Sequence, residues 1–367
     1  MTKLPLQKKI GVLGGGQLAR MLCQQGQRLG LQVHVLSKSK IDPAALATPF
    51  WHKGSINNKS SVSAFCKKMD VITFESEFAD TSTMPKLKNK FYPSLKNIAL
   101  LQDRLTQKQS LVKYKLPTSA FIHTNLKQDV IDFFNAHGAL VAKKRMFGYD
   151  GYGTFIIKNK VALNKFLRQN KVNDCIIEKF IPFKRELSVV CARSKNGDIQ
   201  FFPLVESLQK EAKCFWAKGP IKNSKTNLLH KKIKAYLKKI NYVGVIAFEI
   251  FETSSSLLVN EVAPRVHNTG HHSLDSCNID QFSAHLYCLL GIRLPKINTI
   301  SNGFAMVNLV GSHNKKVQLT PCKHSKLHWY EKLDNRPGRK MGHINSCSTS
   351  ADKALKLALN DLKGFKL

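Results

Sequence analysis

Residues 243–271 constrain this chain more than any other stretch. Val243 to Phe251 is a largely apolar run with one carboxylate in it, Glu249. A lone buried carboxylate is costly unless it is paired or turns neutral. The polar stretch Thr253-Ser254-Ser255-Ser256 reads as a turn. The apolar segment beyond it carries Asn260 and Glu261. A hairpin centred on Ser255 makes Glu249 and Glu261 cross-strand partners, because each lies six residues from the centre. Facing carboxylates repel. A hard divalent cation between them removes the repulsion, and Mg²⁺ held by one or two carboxylates takes nucleotide phosphates and waters as its other ligands. The hairpin therefore reads as the metal shelf of an ATP site. The alternative, two glutamates on solvated strand edges, is opposed by the apolar flanks of Glu249.

The remaining composition narrows the setting. At 367 residues the chain has room for two or three domains and a core. No run of about 18 apolar residues suggests a membrane span. The N-terminal residues are too polar for a secretory signal. The nine cysteines are scattered, with no C-x-x-C pair, and read as small hydrophobes in a reducing compartment. A cytoplasmic protein is expected. The formal net charge of +34 invites a nucleic-acid reading. The basic residues are spread along the whole chain, however, and most are lysine where base reading leans on arginine. No specific nucleic-acid partner is expected, although the charge would help gather anionic substrates.

Along the chain, Lys9 to Leu13 reads as a strand, Gly14-Gly15-Gly16-Gln17 as a turn, and Leu18 to Leu22 as the start of a helix. With a second strand at 31–36 this is a βαβ opening whose helix N-terminus suits an anion. The glycines match a dinucleotide fingerprint only loosely, and Ser37-Lys38 stands where an acid should close strand two. This argues against NAD and leaves a phosphate. Asp70 to Glu77 is a strand ending in two carboxylates, Glu75 and Glu77. Either binds a substrate amine or hydroxyl at the ligand crevice, or both lie on a solvated loop. Asp103 caps a helix that Leu116-Pro117-Thr118 closes. A strand at 139–143, a glycine-rich loop at 147–154 and a strand at 155–157 form a hairpin lid able to close over phosphates, with Lys143 placed to meet them. Further strands are expected at 175–181, 186–190 and 305–310, with helices at 130–134, 281–290 and 351–362 and a basic loop from Arg336 to His343.

Taken in order, these motifs resemble the ATP-grasp enzymes, and within them the 5-(carboxyamino)imidazole ribonucleotide synthases of purine biosynthesis, the PurK family. The matching segments are Gly14-Gly15-Gly16-Gln17-Leu18, Asp103 to Lys108, Gly148-Tyr149-Asp150-Gly151, Asn260 to Asn268 and Arg336 to His343. The resemblance covers essentially the whole chain. It implies an α/β (α+β ATP-grasp) fold: an N-terminal open parallel sheet over 1–102, a lid subdomain over 103–182, a core with the metal site over 183–302 and a small C-terminal subdomain over 303–367. It implies a ligase that carboxylates 5-aminoimidazole ribonucleotide with bicarbonate through carboxyphosphate, consuming ATP with Mg²⁺ (or Mn²⁺), and a homodimer. A formate-using relative is the alternative.

The resemblance also distributes roles. Arg104 and Lys143 contact ATP phosphates under a lid made of Gly148, Tyr149, Asp150, Gly151, Tyr152, Gly153 and Thr154. Glu178, Lys179, Phe180 and Ile181 form the adenine hinge, and Glu186 accepts from the ribose. Glu249 and Glu261 carry the metal, with Asn260 in support. Arg265, His267 and Asn268 form the catalytic bicarbonate and carboxyphosphate pocket. Gln17, Leu18, Lys332 and Arg339 bind the ribonucleotide phosphate, while Glu75, Tyr149 and Asp150 face its imidazole. Two positions depart from the family pattern. Tyr152 replaces a frequent Arg or Lys, and Gln209 stands where a histidine is common.

Overall fold

The computed structural model describes residues 7–85, 87, 90–148, 153–210, 213–312 and 317–367. Its first layer is a parallel sheet. β1 (Lys9–Leu13), α1 (Gln17–Arg28), β2 (Gln32–Ser37), β3 (Trp51–Lys53), α2 (Lys59–Lys67) and β4 (Val71–Phe74) give the strand order β3-β2-β1-β4. β1, β2 and β4 bury nearly every residue, as strands covered on both faces require, while the edge strand β3 stays partly exposed. The carboxyl ends of β1 and β4 thus open side by side, and the loop after β4 carries Glu75 and Glu77.

Two helices, α3 (Leu95–Gln102) and α4 (Arg104–Lys113), lead to an antiparallel sheet. β5 (Phe121–Ile122), α5 (Lys127–His137), β6 (Leu140–Lys144), β7 (Thr154–Ile157), α6 (Lys160–Gln169) and β8 (Cys175–Lys179) have the order β5-β8-β6-β7. The hairpin expected as the lid is β6–β7, and Gly153 leads into β7 at φ +77°. Tyr149, Asp150, Gly151 and Tyr152 lie outside the described residues.

The third sheet has nine strands. It contains β9 (Arg185–Arg193), β10 (Ile199–Phe201), β11 (Val205–Lys210), β12 (Lys213–Gly219), β13 (Gly244–Glu252), β14 (Leu257–Ala263), β15 (Gly303–Val310), β16 (Ser325–Trp329) and β17 (Lys340–Ser348). Around it lie α7 (Thr226–Lys239), α8 (Ser273–Ser276), α9 (Gln281–Leu290) and α10 (Ala351–Leu362). The main path is β14-β13-β9-β11-β12-β15-β17-β16, with β10 on β9. The C-terminal strands join this sheet through the β12–β15 ladder. The basic segment expected as a loop is only partly one: Lys340 to His343 begin β17, where His343 pairs with Asn308 and His328. Its basic residues hid a strand that is buried from Met341 to Ser346. One core joins the layers, since α1 packs on α9 and α9 packs on β9 and β13, and Thr73 of β4 meets His285 of α9 at 2.8 Å.

β14 is an edge strand, and its outward backbone groups need partners. Helix α4 supplies them. Gln107 accepts from the Val262 N–H through Oε1 at 2.8 Å and donates from Nε2 to the Val262 carbonyl at 2.9 Å and the Leu101 carbonyl at 2.7 Å. Further along, the Val259 N–H donates to the Pro117 carbonyl at 2.7 Å, and the Thr118 hydroxyl donates to the Val259 carbonyl at 2.6 Å. The edge that carries Glu261 is therefore closed by the Gln107 side chain and by the Pro117–Thr118 segment, through main chain and side chain. Replacing Gln107 by Leu should leave both buried Val262 groups unpaired and lower stability by about 2–5 kcal/mol. Urea unfolding at unchanged m-value measures this; a loss under about 0.5 kcal/mol would contradict the role given to Gln107.

Candidate active site

The hairpin of β13 and β14 is present, and Glu249 faces Glu261 in its register. The route to that pairing differs from simple counting about Ser255. The turn is Thr253–Ser256, closed by the Thr253 N–H to the Ser256 carbonyl at 2.9 Å, and Glu252 pairs with Leu257. A regular ladder from there would set Glu249 against Asn260. Instead the ladder steps from Ile250↔Val259 to Glu249↔Glu261, so a bulge lies at Asn260. Bulges re-aim side chains in this way. The Asn260 side chain accepts from Lys143 Nζ at 2.8 Å. The extra residue thus brings the carboxylates opposite one another and ties the hairpin to lid strand β6.

Helix α4 brings one cation, Arg104, to the pair and a second, Lys108, to nearby Glu178 from the same face. Arg104, Gln107 and Lys108 are spaced i, i+3, i+4 and share a helix side. Asp103 starts that helix by accepting from the Leu105 N–H at 2.8 Å. Arg104 Nη2 donates to both Glu261 oxygens at 3.1 Å, and to the Gly148 carbonyl at 3.2 Å where the lid loop begins. Burial works against the Arg104 charge, but Glu261 outweighs it and raises the guanidinium pKa further. Lys108, almost wholly buried, donates to Glu178 Oε2 at 2.8 Å, Thr118 at 2.7 Å and Ser119 at 2.9 Å. Lys143 contacts the other Glu178 oxygen at 3.0 Å. Burial pushes the Glu178 carboxyl up, yet the two lysines outweigh it and hold it at about 2. The Glu178 side chain is therefore committed to the lysines. In the hinge after it, the Lys179 N–H donates to Ala120 and the Phe180 N–H to Ala139, while among the described residues the Ile181 N–H has no partner.

The segment after β14 turns into the cleft. His267 meets Glu249 Oε1 at 3.3 Å through Nε2, and its Nδ1 lies 2.8 Å from the Thr269 hydroxyl. Burial raises the Glu249 carboxyl; His267, backed by Lys143 and Arg265, overrides this and holds it below its usual range. Asn268 exchanges two amide hydrogen bonds with Asn308 of β15, at 3.0 and 2.7 Å. Arg265 makes a two-point contact with Glu77, Nε to Oε2 at 2.5 Å and Nη2 to Oε1 at 3.1 Å. The sequence left Glu77 as one of two carboxylates at a strand end, and only the fold reveals its partner. Glu186, beside Glu249 on β9, is raised to about 7 by burial and by that neighbouring charge.

Glu75 lies at the start of α1. The Gly16 N–H donates to its Oε2 at 2.7 Å. The glycines of the turn make room for this carboxylate: a Cβ on Gly16 would fall 2.3 Å from Glu75 Oε1, and one on Gly14 2.6 Å from Oε2. Burial raises the Glu75 pKa despite N–H groups of Gly16, Ala19 and Leu18 directed at it. Gln17 and Leu18 thus begin a helix whose N-terminus already faces an acid. Lys332 donates to the Lys340 carbonyl at 2.6 Å, and burial with Arg339 nearby lowers its pKa to about 8. Arg339 donates to Asp334 Oδ2 at 2.8 Å. Gly148 offers its carbonyl to Arg104, and Thr154 starts β7 opposite Lys143. Gln209 faces Cys214 at a second bulge, where Phe215 of β12 is the extra residue.

The donor set suits a magnesium ion shared with a nucleotide. Glu249 and Glu261 offer oxygens on one face, about a third exposed at the cleft. Among the described residues no cluster of three or more His, Cys, Asp or Glu could hold a metal by itself. Mg²⁺ bound at nucleotide phosphates takes one or two carboxylates and not an all-protein cage.

Comparison with known proteins places the chain in a family. Residues 7–102 match the ribonucleotide synthetase preATP-grasp domain, residues 109–282 the ATP-grasp domain, and residues 305–357 the phosphoribosylaminoimidazole carboxylase C-terminal domain. The chain is 34% identical to an N5-carboxyaminoimidazole ribonucleotide synthase of Synechococcus elongatus, covering 94% of this chain and 91% of the relative. It is 32% identical to the phosphoribosylaminoimidazole carboxylase of Saccharomyces cerevisiae, of which it spans 64%. The N5-carboxyaminoimidazole synthetase of Staphylococcus aureus, solved with ADP, superposes with a TM-score of 0.91 at 28% identity over 99% of both chains. The Aspergillus clavatus synthase, solved with ADP and 5-aminoimidazole ribonucleotide, gives 0.86 at 26% identity over 97% of this chain and 98% of that one.

Lys108 provides a test of the charge network. Changing it to Met leaves Glu178 with one counter-charge and should destabilise the fold by about 3–5 kcal/mol. The Glu178 carboxyl is depressed from 4.5 to about 2, so its contribution is present above pH 4.5 and is lost as pH falls toward 2. Thermal unfolding from pH 7 down to pH 3 should show the wild-type advantage over Lys108→Met shrinking at the acid end. A gap that grows with acid would contradict the assignment.

Proposed function

The chain belongs to the N5-carboxyaminoimidazole ribonucleotide synthase family of ATP-grasp ligases, and from that membership we propose how its cleft works. It couples ATP cleavage to carboxylation of 5-aminoimidazole ribonucleotide with bicarbonate, giving the 5-carboxyamino product, ADP and phosphate. A formate-using ligase of the same fold is not favoured, because the relatives matched along the chain are carboxyaminoimidazole synthases. The observation that carries the proposal is the facing of Glu249 and Glu261 with Arg104, Lys143 and His267 around them.

Bicarbonate is a poor electrophile, so its hydroxyl carbon must first acquire a leaving group. A bicarbonate oxygen attacks the γ-phosphorus of ATP, the bond to ADP breaks, and carboxyphosphate forms. The exocyclic amine of the ribonucleotide then attacks the carbonyl carbon, or CO₂ released from it, and phosphate and a proton depart. Glu249 and Glu261 would hold Mg²⁺, which neutralises phosphate charge when bound. Arg104 and Lys143 contact the phosphates, which compete with Glu261 and Asn260 for them. The loop of Gly148 to Thr154 covers the phosphates and keeps water from carboxyphosphate. Ile181 offers its N–H to the adenine edge, and Glu186 meets the ribose. Arg265 and His267 face the bicarbonate oxygens, and Asn268 releases Asn308 to join them. The ribonucleotide takes the corner made by Gln17, Leu18, Glu75, Lys332 and Arg339. Positioning and charge neutralisation thus supply much of the rate. A cytoplasmic homodimer completes the proposal on the strength of the family; no described helix is long and apolar enough to cross a membrane.

A coupled ADP assay tests it. ADP release should require bicarbonate, rise with 5-aminoimidazole ribonucleotide, and stop when divalent cations are chelated. Release that persists without bicarbonate, or that formate with glycinamide ribonucleotide sustains equally well, would overturn the reading.

A further inference from the structure

We propose that Glu77 is a positioning residue: it fixes the Arg265 guanidinium so that the N–H groups left over face bicarbonate and the acyl phosphate made from it. The inference rests on the role given to Arg265 above.

A guanidinium has five N–H donors in a planar fork. Glu77 takes two of them in a side-on contact through Nε and Nη2, and the Val266 carbonyl takes one on Nη1 at 3.1 Å. One N–H on each terminal nitrogen remains. Two-point contacts of this kind set the plane of the guanidinium as well as its place. Arg265 follows Pro264 at the end of an edge strand, where its own backbone offers a single internal hold, the Arg265 N–H to the Ala263 carbonyl at 2.9 Å. Without Glu77, the long side chain would sample other rotamers in a cleft lined by Glu249 and Glu261, whose charges both act on it.

The contact also joins two halves of the site. Glu77 belongs to the loop after β4, two residues beyond Glu75, which meets the N-terminus of α1 at the ribonucleotide corner. Arg265 belongs to the large sheet beside the metal carboxylates. The loop itself is pinned from behind. With its amide in the orientation that satisfies both groups, Gln102 donates to the Glu77 carbonyl at 2.9 Å and the Ala79 carbonyl at 3.1 Å. One carboxylate therefore sets where the activated carbon lies relative to the ribonucleotide amine. As a source of stability alone a buried ion pair contributes little net free energy, because desolvation opposes it. Burial does push the Glu77 carboxyl up, and the Arg265 charge overrides that and holds it ionised below its usual range.

The test compares wild type with Glu77→Gln, Glu77→Asp and Arg265→Gln in steady state. Bicarbonate and ATP are varied separately, and ADP formed is compared with ribonucleotide consumed. Glu77→Gln should raise the KM for bicarbonate about tenfold or more, leave the KM for ATP within about twofold, and make ADP exceed ribonucleotide consumed. Glu77→Asp, which keeps the charge on a shorter arm, should recover part of the loss. It also supplies the measurement should the Gln variant fail to fold. An unchanged bicarbonate KM and a one-to-one ratio in the folded Glu77 variants, beside a raised KM in Arg265→Gln, would overturn the role of Glu77 alone. An unchanged bicarbonate KM in Arg265→Gln as well would overturn the reading of Arg265 on which it rests.

Discussion

Two carboxylates placed opposite each other on adjacent strands repel, and the architecture around β13 and β14 answers that repulsion. Glu249 and Glu261 are brought into register by one extra residue, Asn260. Each then acquires a basic neighbour from outside the hairpin: His267 for Glu249 and Arg104 for Glu261. The hairpin also forms the sheet edge, so the segment that provides Arg104 provides Gln107 to close that edge. The facing carboxylates, their neighbour Arg104 and the protection of the sheet edge are thereby set by a single helix packed on a single hairpin.

The same economy governs the rest of the cleft. Its basic groups are held by acids that belong to the protein: Lys108 and Lys143 by Glu178, Arg265 by Glu77. A cation desolvated without a partner would lose its charge or destabilise the fold. Pairing keeps it charged and aimed. On the proposed function, an incoming phosphate or bicarbonate would meet preoriented donors, at the cost of competing with those acids. The formal charge of +34 plays no part in this arrangement beyond attracting anions, since the residues that build the site are individually paired.

Much of this was legible in the sequence because chemistry and periodicity coincided. The two apolar runs with one acid each favoured a facing pair over two solvated edges, and Glu249 does face Glu261. The parallel sheet followed from its glycine turn and apolar strands, although the glycines turned out to admit the Glu75 carboxylate. What escaped was set by tertiary contact. A bulge leaves no local signature, and counting from Ser255 found the right pair with the wrong turn centre. Gln107 looks like any helix glutamine until the edge of β14 is seen beside it. The lysines of α7 obscured its apolar stripe of Leu229, Ile233, Tyr236 and Leu237. Glu77 was one of two acids at a strand end, and nothing within its own segment distinguishes a partner of Arg265 from a solvated loop residue.

The account stands on a divalent ion shared between Glu249, Glu261 and a nucleotide. Binding of Mn²⁺ with ADP, followed by the electron paramagnetic resonance signal of free Mn²⁺, measures this directly in wild type, Glu249→Gln and Glu261→Gln. Wild type should take up the Mn²⁺–ADP complex, and each variant should lose most of that uptake while keeping its circular dichroism spectrum. Undiminished uptake by both folded variants would show that these two carboxylates do not hold the ion.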